Sequence, residues 1–281
     1  MTSSQNAISA SRLIESVGRR SLAAVRAVRS GVEELGLGAS LLAECLFWLG
    51  FGRLRRQPVR MPTIFEQMME IGIRAIPIGM VLSFAIGVTL AMQGIDLLKT
   101  FGAESQVVLA VALSVVREFS PLIMGILVAG RSGSALAARL GTMNISQELD
   151  ALRSMSISPV RFLVAPTLLA TLVMLPMLTL LSDLVTLAAS ALYTWNELGM
   201  SFQAYGERTL EILTVNHLMH GLGKSAIFAV LIVVIATING LCVSGGAEGV
   251  GRATTRSVVM SIAAIIVTDM LFILLMTRSS F

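Results

Sequence analysis

The sequence predicts an all-α polytopic membrane protein: five transmembrane helices, an N-terminal amphipathic interfacial or re-entrant region, and a short amphipathic helix in water between the second and third spans. Three observations predict it. First, 55% of the 281 residues are hydrophobic and only 14% are charged, with a mean hydropathy of +0.82; a soluble domain carries roughly 25% charged residues. Second, five apolar runs, about 75–97, 107–129, 162–192, 225–245 and 257–277, are each long enough for a helix to cross ~30 Å of hydrocarbon. Third, these runs are continuous rather than alternating, which excludes the strands of a membrane β-barrel.

The chain divides into an N-terminal region, 1–60, and a transmembrane region, 61–281. In the first, Ile14, Val17, Val25, Val28, Val32 and Leu35 fall on one helical face, with Arg12, Arg19, Arg20 and Arg26 mostly opposite. That is the pattern of a helix lying flat on a membrane. A sixth apolar run, Leu35–Gly50, is short and carries Glu44. No signal peptide is expected, because arginines interrupt the first thirty residues.

Orientation follows from Lys and Arg. Segment 53–74 holds five arginines and 131–161 holds four, whereas 98–106 has one lysine and 193–224 has two basic residues among Glu197, Glu207 and Glu211. Arg131 and Arg139 in one loop, and Arg252 and Arg256 in another, therefore face the cytoplasm. The N-terminus is expected there too, and the C-terminus on the opposite, periplasmic side. Residues 1–34 carry five arginines as well, so Leu35–Gly50 is expected to dip in and return or to lie in the interface rather than cross.

Signs of soluble-enzyme chemistry are weak. Gly221–Ser225, "GLGKS", echoes a phosphate-binding loop, but Leu218 stands where its first glycine belongs. His217 and His220 share a helix face without a third metal ligand nearby. The glycines of "VSGGAEGVGRATT" follow no strand and are expected to make a turn between spans. Cys45 and Cys242 sit in apolar runs and are expected to be buried, unpaired thiols. No catalysis, cofactor, metal or nucleic-acid partner is expected of this chain.

Charges inside the spans point elsewhere. Arg117, Glu118, Asp183 and Asp269 each cost at least ~2.5 kcal/mol in hydrocarbon unless paired or hydrated. Arg117 and Glu118 are adjacent and point different ways, and an Arg117–Asp269 contact is expected from their similar depth. Such a set either holds a bundle together, lines a polar cavity or relays protons. Pro121, Pro166 and Pro176 are expected to kink their helices.

The polar segment "NISQELDALRSM" lies between the second and third spans. Asn144 is expected to cap a helix over 144–155, with Gln147 as capping-box partner. Glu148 and Asp150 fall early and Arg153 late, as the helix dipole favours. Ile145, Leu149, Leu152 and Met155 form an apolar stripe. The stripe can pack on the chain's own spans or dock into a groove of a soluble partner. Periodicity does not separate the two.

Three blocks, "VREFSPLIMGILVAGRSGSALAARLGTM", "ELDALRSMSISPVRFLVAPTLLA" and "GVGRATTRSVV" followed by Asp269, resemble in order the MlaE/YrbE permease family, the membrane subunits of Mce-type ABC lipid transporters. The resemblance covers about residues 60–277. It implies a homodimeric permease in a bacterial inner membrane, gripped at the 144–155 helix by ABC ATPase subunits that hold the ATP and magnesium. It also implies a small ATPase-associated regulatory subunit, a periplasmic ring of MCE-domain proteins, and a phospholipid or related lipid as cargo. Two departures stand out. Arg139 replaces a frequent glutamate of the family, and Gln147–Glu148 inverts a Glu–Gln pair, so the charge of the ATPase-facing surface differs. Competing expectations are a proton-coupled transporter using the intramembrane charges, and a non-transporting membrane scaffold.

Overall fold

The computed structural model describes residue 33, residues 36–48 and residues 61–279. The expected N-terminal stripe from Ile14 to Leu35 lies outside the described residues. Helix α1 (Gly36–Trp48) is about 20 Å long at 1.5 Å per residue, too short to cross. Among the described residues it is one continuous helix, packed against the bundle through Leu41, Leu42 and Cys45. Cys45 is buried against the core, Ser158 Oγ donates to Glu44 Oε1 at 2.8 Å, and the Arg161 guanidinium lies 5.2 Å from the Trp48 ring centroid.

Five helical stretches are long and apolar enough to cross a membrane. The first comprises α2 (Met61–Ile71), a 3₁₀ turn (Ile73–Ala75) and α3 (Ile76–Lys99). The break falls at Gly72, where a Cβ would lie 1.9 Å from Met174 Cε and 2.9 Å from the Met68 carbonyl. The second is a rod of 39 residues, Val107–Ile145, made of α4 (Val107–Ser114), α5 (Ser120–Val128) and α6 (Ser134–Ile145), joined by π-helical turns at Val115–Phe119 and Ala129–Gly133. At ~58 Å it is about twice the hydrocarbon thickness, so α6 stands largely clear of the bilayer. Then come α7 (Glu148–Ser154) and the third span, a π turn (Val160–Val164) leading into α8 (Ala165–Leu198). Gly199, at φ 67°, ends α8. Helix α9 (Phe202–Ile212) starts on Ser201, whose Oγ accepts from Ala204 N at 3.2 Å. The bundle closes with α10 (Val215–Leu241) and α11 (Gly246–Ser279).

Pro121 and Pro166 each stand in the first turn after a π turn. Proline has no N–H and clashes with the carbonyl four residues back; a π turn already displaces that carbonyl, so the helix continues. Pro176 lies inside α8.

Several boundaries differ from the sequence expectation: the first helical stretch starts at Met61 rather than about 75, and the second runs to Ile145 rather than about 129. The fourth span begins ten residues early, at Val215, because His217, His220 and Lys224 are carried on the helix. The glycine-rich stretch turns only briefly: Gly245 and Gly246 have φ of 91° and 70°, and from Gly246 the chain is helical. Arg252 and Arg256 are therefore on α11, as Arg131 and Arg139 are on the second rod, and none of the four is in a loop.

The core forms three successive levels. One, near α7, gathers Leu140, Leu149, Val164 and Ala236; the middle one holds Met124, Leu175, Phe228, Ile232 and Ile265; the third, near α9, holds Ile95, Val107, Val111 and Tyr205. Lipid tails are as apolar as these side chains, so close packing must hold spans together. Glycines supply it: a Cβ on Gly87 would sit 2.3 Å from the Thr186 carbonyl, joining α3 to α8. Helix α11 is the least buried span. Val259, Ile266, Val267, Met270, Leu271 and Leu274 are exposed along it.

Candidate functional site: an intramembrane ion cluster and an exposed turn helix

Lys224 is the centre of the buried charge. It lies on α10, 3% exposed, and its ammonium meets carboxylates from two other helices: Glu118 Oε2, to which it donates, and Asp269 Oδ1 at 2.9 Å. The second contact is an ion pair by distance, but its angle falls short of a hydrogen bond. Glu118 comes from the π turn Val115–Phe119 and Asp269 from α11.

Local sequence explains how the three meet. A Cβ on Gly221 would lie 2.3 Å from the Val116 carbonyl, so α10 touches the π turn backbone to backbone. One turn on, Lys224 reaches Glu118. Gly125 brings Phe228 and Ile265 to 3.1 and 3.5 Å of where its Cβ would be. Phe228 follows Lys224 by one turn and Ile265 precedes Asp269 by one turn, so antiparallel α10 and α11 set Lys224 and Asp269 level. The cluster lies about 14 Å from the start of α10 and about 26 Å from its end, nearer the face opposite α7.

This corrects the expected Arg117–Asp269 contact. Lys224 pairs with Asp269, and Arg117 is half-buried with no hydrogen bond or ion pair among the described residues. Neighbouring residues on a helical turn project in different directions, and here Glu118 faces α10. Asp183 stands apart, buried on α8 with Oδ1 unpartnered. It adjoins a hydroxyl seam between α3 and α8, where Ser83 and Ser182 share a 2.8 Å hydrogen bond and Thr186 Oγ1 donates to the Ser83 carbonyl at 3.2 Å. The sequence held a signal for Lys224: a lone lysine becomes an intramembrane charge once the helix is extended back over the two histidines.

The polar segment is built differently from its expected form. Asn144 caps nothing; it sits in the last turn of α6 and donates Nδ2 to the carbonyls of Leu241 (3.2 Å) and Val243 (3.1 Å) at the end of α10. These carbonyls lack helical partners, which is why an amide reaching across serves them. Gln147, with φ 59°, turns the chain before α7, and Ser146 Oγ donates to Glu148 Oε1 at 2.8 Å. Ser156, also at φ 59°, closes the helix: its N–H donates to the Arg153 carbonyl and that of Ile157 to Leu152, both at 2.9 Å. This is a Schellman closure with serine in the place glycine usually takes.

The apolar stripe splits in two. Leu149 is 1% exposed and Leu152 half-buried, both packed on the core beneath α7, while Ile145 and Met155 are 40% and 60% exposed. Glu148, Asp150 and Arg153 are also exposed, with Arg153 Nη1 3.3 Å from Asp150 Oδ1. Leu149 thus anchors α7 to its own spans, and the presented face is charged with two apolar side chains. On the far side, Tyr205 of α9 is buried and shares a 2.7 Å hydrogen bond with Ser190; burial pushes its hydroxyl above its ordinary pKa, with the Ser190 bond opposing.

Helix α6, α7 and the α10–α11 turn form one block. A Cβ on Gly240 would meet Leu140 Cβ at 2.7 Å, and one on Gly141 would meet Val243 Cγ2 at 2.8 Å. Helix α6, which leads into α7, is thus in close contact with α10, which carries Lys224, and with the turn before α11, which carries Asp269.

Comparison with known proteins fits this architecture. A probable ABC transporter permease protein of Rickettsia typhi is 31% identical, covering 80% of this chain and 86% of its own. The intermembrane phospholipid transport system permease protein MlaE of Haemophilus influenzae is 31% identical, covering 80% and 87%. The chloroplastic protein trigalactosyldiacylglycerol 1 of Arabidopsis thaliana is 32% identical, covering 77% and 62%. The family model described as Permease MlaE matches residues 64–275, a stretch that takes in all five spans, the ion cluster and α7, and this multi-pass membrane protein belongs to the MlaE permease family.

Proposed function

We propose that this chain is the lipid-moving permease of an ABC transporter in a bacterial inner membrane, exchanging phospholipid or a related lipid with a periplasmic assembly of MCE-domain proteins. The observation that carries the reading is the mounting of α7. A seven-residue helix is held out of the bilayer with a charged face open, on a block of close-packed glycine contacts that leads to the intramembrane ions. A helix that served only its own bundle would have no need of that rigid path.

In this reading α7 faces the cytoplasm, where a separate ATPase, with its own ATP and magnesium and a small regulatory subunit, grips Glu148, Asp150, Arg153, Ile145 and Met155. Two copies of the chain pair, and the exposed apolar faces of α3 and α11 supply the surface for the second copy and for the cargo. Nucleotide binding on the ATPase pushes α7. The push runs through α6 and Asn144 into the α10–α11 turn and tilts those helices. Lys224, held between Glu118 and Asp269, then acts as the intramembrane fulcrum that keeps α5, α10 and α11 together during the tilt. The 1–60 region serves as the interfacial lead-in to the 61–281 transmembrane unit.

The test is a paired substitution on the presented face, Arg153→Glu with Met155→Asp. The variant chain should insert and purify as the wild type does, but lose the copurifying ATPase. Stoichiometric ATPase on the variant would refute the role of α7. Leu149→Asp is unsuitable, because it puts a charge into the core.

A further inference from the structure

A cavity of about 150 Å³ lies between α2, α6 and the start of α8, and no residue of the ion cluster or of α7 lines it. Its polar lining is Gln67, Glu70, Arg131, Ser132, Arg139 and Thr167. Arg131 spends one N–H on the Glu70 carbonyl, Nη1 to O at 3.1 Å, and a guanidinium has five. Neither Arg131 nor Arg139 is within ion-pair distance of a carboxylate among the described residues, Glu70 included. Gln67 is only 8% exposed; its terminal amide lies 3.4 Å from Thr167 Oγ1, a hydroxyl that donates to the Leu163 carbonyl at 2.8 Å, and it has no other hydrogen bond among the described residues. Two guanidinium groups outside ion-pair distance of any carboxylate among the described residues, and one buried amide, thus line one small cavity.

We propose that this cavity binds the phosphate of a membrane lipid in the leaflet on the α7 side. Charge is the first argument. Two arginines against one carboxylate leave a net positive site, and planar forked donors match phosphate oxygens two at a time. Depth is the second. The hydrocarbon-length part of the second rod ends near residue 129, so Arg131 stands at headgroup level, with Arg139 two turns further out along the same cavity wall and α2 lining the cavity just before the α3 span. Size is the third. The volume is half or less of the ~300 Å³ at which small-molecule pockets begin, room for a phosphate but not for acyl chains. The chains would stay in the bilayer, where Met61, Phe65 and Met69 of α2 and Ile73 of the 3₁₀ turn are exposed at four-residue spacing.

The test uses native mass spectrometry of the transporter assembly in mild detergent, incubated with phosphatidylglycerol or with diacylglycerol of the same chains. Wild type should retain one phosphatidylglycerol per chain beyond what Arg139→Gln retains. Loss of one charge-assisted interaction should weaken that site about tenfold, with Gln67→Met weakening it in the same direction. Gln67 is buried away from the surface the ATPase would meet, and Gln67→Met keeps the length of the side chain, so that variant should stay folded with its ATPase bound; lipid lost with ATPase retained in Gln67→Met separates this site from the role of α7. Equal retention by wild type and both variants would overturn the proposal, as would equal retention of phosphatidylglycerol and diacylglycerol. Inorganic phosphate that saturates the site where phosphatidylglycerol does not would assign it to a soluble anion and overturn the lipid.

Discussion

Replacing Lys224 by methionine removes the cation from between Glu118 and Asp269 and keeps the length of the side chain. Breaking a buried ion pair from one side costs about 3–5 kcal/mol, because the remaining charge stays desolvated and unpaired. The two arms are unequal. The Asp269 side chain is 14% exposed and Glu118 33%, so Asp269 is the more enclosed of the two carboxylates that lose the cation. The expected loss is about 3–5 kcal/mol. The assay is reversible unfolding in detergent followed by the fluorescence of Trp48 and Trp195, the chain's two tryptophans. A second variant sharpens it. Lys224→Met with Glu118→Gln and Asp269→Asn removes all three charges together and should recover at least half of the loss, since no unpaired charge is left. If Lys224→Met alone stayed within about 0.5 kcal/mol of wild type, the range of an ordinary surface change, the ion cluster would not be holding α10 and α11 to the second rod.

Three further predictions follow from other parts of the bundle. Gly240→Val forces side-chain atoms into Leu140 and the Ala137 carbonyl, 2.7 and 3.0 Å from the position of a Cβ, and should cost about 1–3 kcal/mol by overpacking; unchanged thermal stability would mean that α6 and α10 are not in close contact. Tyr205 has its pKa raised above its ordinary 10.0 by burial. Its contribution to stability is complete below the unfolded value near 10 and is lost as pH rises from there through the folded value. The wild type should therefore lose stability above about pH 10 more steeply than Tyr205→Phe, with parallel pH curves as the contrary result. Of the two free thiols, Cys242 is exposed at the end of α10, whereas Cys45 is buried and pushed up to about 11 by burial and, secondarily, by Glu44. A maleimide should label Cys242 quickly and Cys45 only after unfolding, and equal rates would contradict the packing of α1. The exposure of Cys242 corrects the expectation that both thiols were buried.

Legibility divided by the range of the interaction. Five spans were readable because crossing a bilayer depends on a local sum of apolar length, and each run carries its own. The positions of Glu118, Asp183 and Asp269 inside spans were readable for the same reason. The boundaries at Val215 and Gly246 were not, since polar residues such as His217 and Glu248 remain helical where a long amphipathic end stands clear of the hydrocarbon. The helix after the second span was readable as amphipathic. Its apolar residues, however, face two ways: Leu149 inward and Met155 outward. Period shows that a stripe exists, whereas the left-handed turns at Gln147 and Ser156 decide how the helix is rotated on its platform.

The sequence alone determined that this chain is an all-helical membrane protein with charges in its spans and a polar helix outside them, because hydropathy and helix period are properties of consecutive residues. Tertiary structure decided which charges meet. That depends on the azimuth of each helix and on how near two backbones come: the π turn at Val115–Phe119 sets the direction of Glu118 and Arg117, and the bare Cα of Gly221 lets α10 close on that turn. Lys224 is thereby placed against Glu118 and Asp269, and Arg117 is left aside. In the same way Asn144, a plausible cap by its neighbours, became a tie between two helices nearly a hundred residues apart in sequence, because unsatisfied carbonyls at the end of α10 lay within its reach.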